Sequence, residues 1–142
     1  MQTTTDRARP TAPLVLLVDD DAGNRTLLYV SLRLAGIDAI EAEDGWQGLE
    51  RALSEEPNLV VLDVKMPGLD GFELATKLRE DERTSSIPVL FVTAAAEETH
   101  ALRARALGAL GYLTKPFDPS AVVSLIGRAL GGATPGQTAS TR

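Results

Sequence analysis

Short apolar segments alternate along the chain with segments of helical spacing. Three uninterrupted runs, LVLLV at 14–18, NLVVLD at 58–63 and PVLFVT at 88–93, are rich in aliphatic and β-branched residues and predict strands. Weaker strands are predicted at 38–42 (DAIEA) and 111–114 (GYLT). Because the strong runs do not alternate with polar residues, we expect burial on both faces, as in a parallel sheet covered by helices on each side.

Helical spacing fills the intervals between these strands. Two intervals carry an apolar stripe at positions i, i+3, i+4 and i+7, which we expect to cover the sheet. The stripes consist of Leu27, Val30, Ser31 and Leu34 in the first helix and of Val122, Leu125, Ile126 and Ala129 in the last. Gly36 and Gly131 predict the ends of these two helices. Further helices are predicted near 45–55, 71–81 and 97–107.

Five strands alternating with five helices predict an α/β fold. Parallel strands require crossover connections, and these are right-handed in nearly all proteins. In such sheets a ligand site forms outside the carboxyl ends of the strands, near the point where the strand order reverses. The residues that follow each strand are therefore the first place to look for chemistry.

The length and composition suit a single domain with unstructured ends. The chain has 142 residues, of which 44% are hydrophobic, enough for one aliphatic core. Residues 1–12 and the Gly/Thr/Pro/Ser tract at 131–142 predict flexible segments around a domain at 13–130. The second tract could be a natural terminus or the start of a linker, and composition does not separate the two.

Charge and residue usage exclude several classes of function. A formal charge of −6 and a pI near 4.8 argue against direct binding to nucleic acid or to an anionic membrane. The chain has no cysteine and one histidine, so any bound metal should be a hard cation with oxygen ligands. No apolar run approaches the roughly 18 to 20 residues of a membrane span, and the first residues lack the apolar centre of a signal peptide. We therefore expect a cytoplasmic protein.

Each strong strand ends at a polar side chain able to do chemistry. The residues are Asp19, Asp20 and Asp21 after the first strand, Asp63 after the third, Thr93 at the end of the fourth, and Lys115 with Pro116 after the fifth. Any one of them could simply cap a helix or turn, and Asp21 is predicted to do so. Together, carboxylates without His or Cys indicate a Mg²⁺ site, whose usual companion is a phosphate. A carboxylate can also act as a nucleophile toward phosphorus.

Three motifs in order strengthen this interpretation. The stretches VDDDAGNR, LVVLDVKMPGLDGFEL and FVTAA with YLTKPF resemble the receiver domain of two-component response regulators over about residues 13 to 130. The resemblance implies a single flavodoxin-like (βα)5 domain with a parallel sheet of order 2-1-3-4-5. It also implies a phosphorelay function, in which the domain accepts a phosphoryl group from a sensor histidine kinase or a histidine phosphotransfer protein.

The resemblance assigns a role to each matching residue. Asp63 is implied as the phosphoacceptor, with Thr93 and Lys115 completing the catalytic set. The implied cation is Mg²⁺, with Mn²⁺ as the alternative, and its implied ligands are Asp19, Asp20, Asp63 and the backbone carbonyl of Lys65. Thr93 and Tyr112 are implied as the switch, and the Lys115–Pro116 peptide bond as a turn that is often cis.

The resemblance also implies partners and leaves alternatives. Phosphorylation would alter the face made by the fourth helix, fifth strand and fifth helix. That face would signal to a downstream protein or a linked output domain, or form a homodimer. The domain would be a signalling phosphoacceptor rather than an enzyme acting on other substrates. One alternative is a degenerate receiver that binds proteins without phosphorylation. Another is a haloacid-dehalogenase-type phosphatase using Asp19 and Asp21, although only Asp118 follows Lys115 where that fold needs an acidic pair.

Two further side chains carry expectations of their own. His100 is not needed for the predicted reaction, because the partner supplies the donor histidine, and we expect it on the surface. Trp46, the single tryptophan, opens the second predicted helix and is expected to pack in the core.

Overall fold

A computed structural model describes residues 12–94 and 97–131. The predicted flexible segments therefore lie outside the described residues, apart from position 12 and Gly131. The same holds for the last alanine of the FVTAA motif, at 95, and for the alanine at 96. The elements are β1 (Leu14–Val18), α1 (Ala22–Leu34), β2 (Asp38–Ala42), α2 (Gly45–Glu55), β3 (Leu59–Leu62), α3 (Gly71–Glu80), β4 (Val89–Thr93), α4 (Glu98–Ala106), β5 (Gly111–Thr114) and α5 (Pro119–Ala129).

The five strands form one parallel sheet in the order β2-β1-β3-β4-β5. The register pairs Val18 with Leu62, Leu62 with Phe91, and Thr93 with Thr114. The α/β class, the parallel sheet and the strand order 2-1-3-4-5 are thereby confirmed. The strand order reverses between β1 and β3, so the carboxyl ends of these two strands flank the expected position of a site.

Two apolar clusters cover the two faces of the sheet. Along β1, Val15 and Leu17 point into one cluster, while Leu16 and Val18 point into the other. All five residues of β1 are buried, as are the four residues of β3. Burial on both faces explains why these strands read as continuous apolar runs.

Helix α1 corrects one expectation about the core. The side chains that pack on the sheet are Leu28 and Leu32, which are 5% and 0% exposed. The predicted stripe points outward instead, with Leu27, Val30 and Leu34 at 44%, 47% and 84% exposure. The core face lies one residue further along the helix, because α1 carries apolar side chains around most of its circumference.

The stripe predicted for α5 is confirmed. Val122 and Ile126 are fully buried, and Leu125 and Ala129 pack against the same cluster. Asp118 caps the helix by accepting a hydrogen bond from the backbone of Ser120 at 3.0 Å. Its carboxylate is therefore engaged in helix capping.

Trp46 is not a core residue. Its side chain is 56% exposed, and the ammonium of Lys77 lies 5.7 Å from the ring centroid. Trp46 is the second residue of α2, and α2 is buried through two glycines and an alanine instead. Within the described residues, no helix is both long and apolar enough to cross a bilayer.

Candidate functional site

The carboxyl ends of β1 and β3 bring two aspartates side by side. Asp19 follows β1 and Asp63 follows β3, and the backbone amide of Asp63 donates to the carbonyl of Val18 at 3.0 Å. Asp63 is 7% exposed, whereas Asp20 is exposed at the rim. Asp19, Asp20 and Asp63 each contribute one carboxylate oxygen to a group in which all three oxygens lie within 4.8 Å of one another. The sheet topology therefore gathers three carboxylates that are separated in the sequence.

Lys115 joins two of these carboxylates. Its ammonium lies 2.8 Å from Asp19 Oδ2 and 3.1 Å from Asp63 Oδ2. Lys115 follows β5 at the far edge of the sheet, where its backbone amide donates to the carbonyl of Thr93 at 2.8 Å. The peptide bond from Lys115 to Pro116 is cis, as the resemblance implied. The long lysine side chain spans the width of β4 to reach the acidic cluster.

The cluster perturbs the protonation of its own members. Burial raises the pKa of Asp19, and the Asp63 charge adds to this effect, although the hydrogen bond from Lys115 opposes it. For Lys115, burial alone would lower the pKa, but the hydrogen bonds to Asp19 and Asp63 outweigh it and raise the pKa. Lys115 therefore stays positively charged beside the acids.

Thr93 and Tyr112 lie on the same side of the site. Thr93 ends β4 and is 1% exposed, and its strand lies between those that carry Asp63 and Lys115. Tyr112 pairs with Phe91 across β4 and β5, with ring centroids 6.1 Å apart. Burial, followed by the negative charges of Glu97 and Asp63, raises the pKa of Tyr112. The charge of Asp63 therefore bears on the Tyr112 phenol.

Asp21 caps a helix, whereas Asp19 and Asp20 belong to the acidic cluster. Its Oδ1 accepts from the backbone of Asn24 at 3.2 Å, so it caps α1 as predicted. Its own amide donates to Asp19 Oδ1 at 2.9 Å, which fixes the orientation of the Asp19 carboxylate.

Lys65 has an exposed side chain, while its backbone amide lies 3.4 Å from Asp63 Oδ1.

Two residues that the sequence interpretation missed hold this geometry. Arg25 donates from Nη1 to the carbonyl of Asp19 at 2.6 Å and from Nε to Glu41 at 3.0 Å. Gly71 donates to the carbonyl of Val64 at 2.8 Å, and a Cβ there would overlap the carbonyl oxygen of Asp63. The glycine after Asp70 in the PGLDGFEL motif was a signal that could have located this close approach.

His100 departs from its expected surface position. Its side chain is 20% exposed, with Nε2 3.2 Å from Glu97 Oε1 and its ring centroid 5.4 Å from that of Phe72. Its Nδ1 is buried and has no hydrogen-bond partner among the described residues. The histidine is therefore half-buried between α4 and α3, away from the acidic cluster.

Comparison with known proteins identifies this arrangement. Residues 15–127 match the family model of the response regulator receiver domain. The chain belongs to this family. Receiver domains are signalling domains, and the carboxyl-edge cluster of this receiver is consistent with a phosphoacceptor site.

Relatives and solved structures agree with the family. The chain is 37% identical over 118 residues to Protein PilH of Pseudomonas aeruginosa, covering 83% of this chain and 98% of PilH. It is 37% identical over 124 residues to the phosphate regulon transcriptional regulatory protein PhoB of the same organism, covering 87% of this chain and 54% of PhoB. The structure of chemotaxis protein CheY4 of Vibrio cholerae superposes with a TM-score of 0.78 at 30% identity, covering 83% of this chain and 98% of that one.

The chain spans only part of several of its relatives. It covers 54% of PhoB and 44% of the DNA-binding dual master transcriptional regulator RpaA of Synechocystis, to which it is 42% identical over 106 residues. The similarity to these transcriptional regulators therefore concerns the receiver, and not the remainder of their chains.

The acidic cluster fits the Mg²⁺ that receiver domains bind. Asp19, Asp20 and Asp63 supply oxygen donors, and in the described cluster the Lys115 ammonium offsets only part of their negative charge. A small divalent cation with a preference for oxygen ligands suits such a set. Since Asp20 makes no ion pair within the described residues, its carboxylate remains available for coordination.

Proposed function

We propose that this receiver accepts a phosphoryl group on the carboxylate of Asp63. The observation that carries the proposal is the Lys115 ammonium, which contacts both Asp19 and Asp63 inside a cluster of three carboxylates. In the reaction, an Asp63 oxygen bonds to phosphorus while the bond from phosphorus to a histidine nitrogen of the donor breaks. The electron pair of that bond stays on the donor histidine, which a sensor histidine kinase or phosphotransfer protein supplies.

The residues around Asp63 have distinct parts in this reaction. Asp19, Asp20, Asp63 and the backbone carbonyl of Lys65 would hold Mg²⁺, which when bound supplies positive charge against the phosphoryl oxygens. Lys115 shifts from the carboxylate to the new phosphoryl oxygens, because a phosphoryl group carries about two negative charges. The Thr93 hydroxyl donates to one of those oxygens from the end of β4.

The consequence of phosphorylation would be expressed through Tyr112. A hydroxyl drawn toward the phosphoryl group leaves the neighbourhood of Tyr112, whose ring then has room to turn inward beside Phe91. The face of α4, β5 and α5 would change its preferred state and engage a downstream protein, a linked output domain or a second receiver. The bias is as large as the difference in contacts between the two states, and no larger.

Acetyl phosphate tests the phosphoacceptor directly. With Mg²⁺ present, intact-mass spectrometry should show one added phosphoryl group on the wild type and none on Asp63→Asn. Asp21→Asn is the matched control, because Asp21 caps a helix rather than facing Asp63, and it should still be phosphorylated. An unmodified wild type would indicate a receiver that acts without phosphorylation, and an adduct on Asp63→Asn would place the acceptor elsewhere.

Metal binding has a separate readout in thermal stability. Mg²⁺ should raise the melting temperature of the wild type by mass action, and this rise should be lost in Asp20→Ala. Without metal, Asp20→Ala should melt no lower than the wild type, because it removes one of three mutually repelling carboxylates. A metal-free Asp20→Ala protein that melts earlier would show that the side chain is structural.

A further inference from the structure

A cavity lies between the β3–α3 loop and α4, on the side of the sheet edge that carries Asp63. Its volume is about 490 Å³, and Met66, Pro67 and Phe72 contribute apolar walls. Lys65, His100 and Arg103 contribute polar groups, whereas none of the three clustered aspartates lines it. Cavities of roughly 300–1,000 Å³ with a few convergent polar groups are the usual size for small-molecule sites.

The cavity carries two cationic side chains, Lys65 and Arg103, and one carboxylate, Asp70. No salt bridge within residues 12–94 and 97–131 involves Lys65 or Arg103. The acid that lines the cavity, Asp70, is engaged in capping α3 by accepting from the backbone of Glu73 at 2.8 Å. In a chain with a formal charge of −6, two cations left without carboxylate partners at one cavity indicate an anionic ligand.

Arg103 is held in place for such a ligand. Its guanidinium lies 4.4 Å from the ring centroid of Phe72, which is 1% exposed and therefore a fixed platform. A planar guanidinium with one face on an aromatic ring keeps its second face for stacking and its N–H groups for paired hydrogen bonds to phosphate or carboxylate. Arg103 is thus pre-oriented without being consumed by an ion pair.

His100 lines the same wall. Its Nε2 faces Glu97, but its buried Nδ1 has no partner among the described residues. A buried polar atom without a partner is costly, and such atoms usually mark a water, an ion or a ligand. Because this nitrogen is buried, it is closed to the cavity, and recognition of an anion rests on Arg103 and Lys65.

We propose that this cavity binds a small organic anion of about mononucleotide size, in which a phosphate or carboxylate is carried on a flat ring. The anionic group lies between Arg103 and Lys65, and the ring stacks on the outer face of the Arg103 guanidinium. His100 forms part of the cavity wall. The site is separate from the acidic cluster, and its occupancy does not require phosphorylation of Asp63.

Amide NMR titration of the whole chain tests this directly. Adenosine monophosphate is the phosphate probe and benzoate the carboxylate probe, both in metal-free buffer. At least one should produce saturable shifts in residues 65–72 and 100–103. Adenosine and inorganic phosphate should each bind about tenfold more weakly than adenosine monophosphate, because each lacks half of the recognised groups. No saturable shift with either probe would overturn the proposal.

Variants locate the binding. Arg103→Gln should weaken the dissociation constant of the bound probe by about tenfold, and Lys65→Gln should also weaken it. Arg105→Gln is the matched control, because it lies on the same helix but lines a different cavity with Tyr112. Its constant should stay within about twofold of the wild type. An equal loss in Arg105→Gln, or binding that disappears in Asp63→Asn, would refute the assigned site.

Discussion

Helices α3 and α4 lie on the same side of the sheet and are held in very different ways. Helix α3 buries Gly71, Phe72, Leu74, Ala75 and Leu78, and it begins with a capping box between Asp70 and Glu73. Helix α4 buries Ala104 alone among its nine residues, and the side chain at its N-cap makes no capping hydrogen bond. Burial and capping both stabilise helices in proteins, so α3 is anchored more firmly than α4.

The two helices therefore differ in how rigidly they are held next to Asp63. Helix α3 starts directly against the backbone that follows Asp63, through the hydrogen bond from Gly71 to Val64. Helix α4 contacts α3 through His100 and Arg103 against the ring of Phe72, and just beyond its end Arg79 donates to the carbonyl of Leu107 at 3.1 Å. The segment next to the phosphoacceptor is therefore the rigid one, and a change at Asp63 would move α4 at the lower cost.

The largest contrast should come from a buried leucine in α3 and an exposed leucine in α4. Leu74→Ala in α3 should lower the free energy of unfolding by about 2–5 kcal/mol, because the side chain is fully buried. Leu102→Ala in α4 should change it by less than about 0.5 kcal/mol, since Leu102 is 55% exposed. Urea unfolding followed by circular dichroism measures both. Similar losses for the two variants would show that α4 is packed as firmly as α3.

The close approach of α3 to Asp63 should give the next largest effect. Gly71→Ala places a Cβ against the Asp63 carbonyl and 2.9 Å from Val64 Cα, neither of which can yield easily. We expect a loss of about 1–3 kcal/mol and impaired phosphorylation by acetyl phosphate, because the backbone at Asp63 must shift. Gly127→Ala in α5 is the control, since nothing lies within 4 Å of the added atom. It should be neutral or stabilising; a Gly71→Ala protein of wild-type stability would contradict the close contact.

Helix capping should give a smaller contrast. Asp70→Ala removes the hydrogen bond to the backbone of Glu73 and should cost about 0.5–2 kcal/mol. Glu97→Ala removes no capping bond from α4 and should cost much less, apart from its contact with His100. Thermal unfolding of the two variants measures the difference. Equal costs would mean that the N-terminus of α4 is stabilised as well as that of α3.

The sequence predicted the elements far better than their orientation. Continuous apolar runs identified β1, β3 and β4, because burial on both faces leaves little room for polar side chains. The face of α1 could not be chosen by spacing, since Leu27, Leu28, Val30, Leu32 and Leu34 offer two overlapping stripes. Contact with β1 and α5 decides which of the two stripes is buried, and the spacing of apolar residues in the sequence does not show that contact.

The candidate site shows the same division. Its members could be chosen from the sequence, because each follows a strand and the carboxyl ends of parallel strands meet at one edge. The bridging position of Lys115 between Asp19 and Asp63, by contrast, depends on the sheet register and on side-chain reach. The half-burial of His100 depends on how α4 packs, because that helix has no apolar periodicity to fix it. Helix α2 is strongly amphipathic, but its buried residues are Gly45, Gly48 and Ala52, which leaves Trp46 outside the buried face.

The smallest expected effect concerns the C-terminal end of α3, where a local ion pair follows the helix. Asp81 Oδ2 lies 2.9 Å from Arg83 Nη2, and hydrogen bonds from Arg83 lower the pKa of Asp81 from 3.8 to about 2. A carboxyl whose folded pKa is depressed stabilises the fold above its ordinary pKa and loses that contribution as the pH falls through the folded value. At pH values above about 4, the wild type should therefore melt at a slightly higher temperature than Asp81→Asn. The two melting temperatures should converge as the pH falls toward about 2. Because the pair is exposed, solvent screens it, and the loss of stability in Asp81→Asn should be smaller than that in Asp70→Ala. A difference in melting temperature that widens on acidification would show that the Asp81–Arg83 pair does not stabilise the fold.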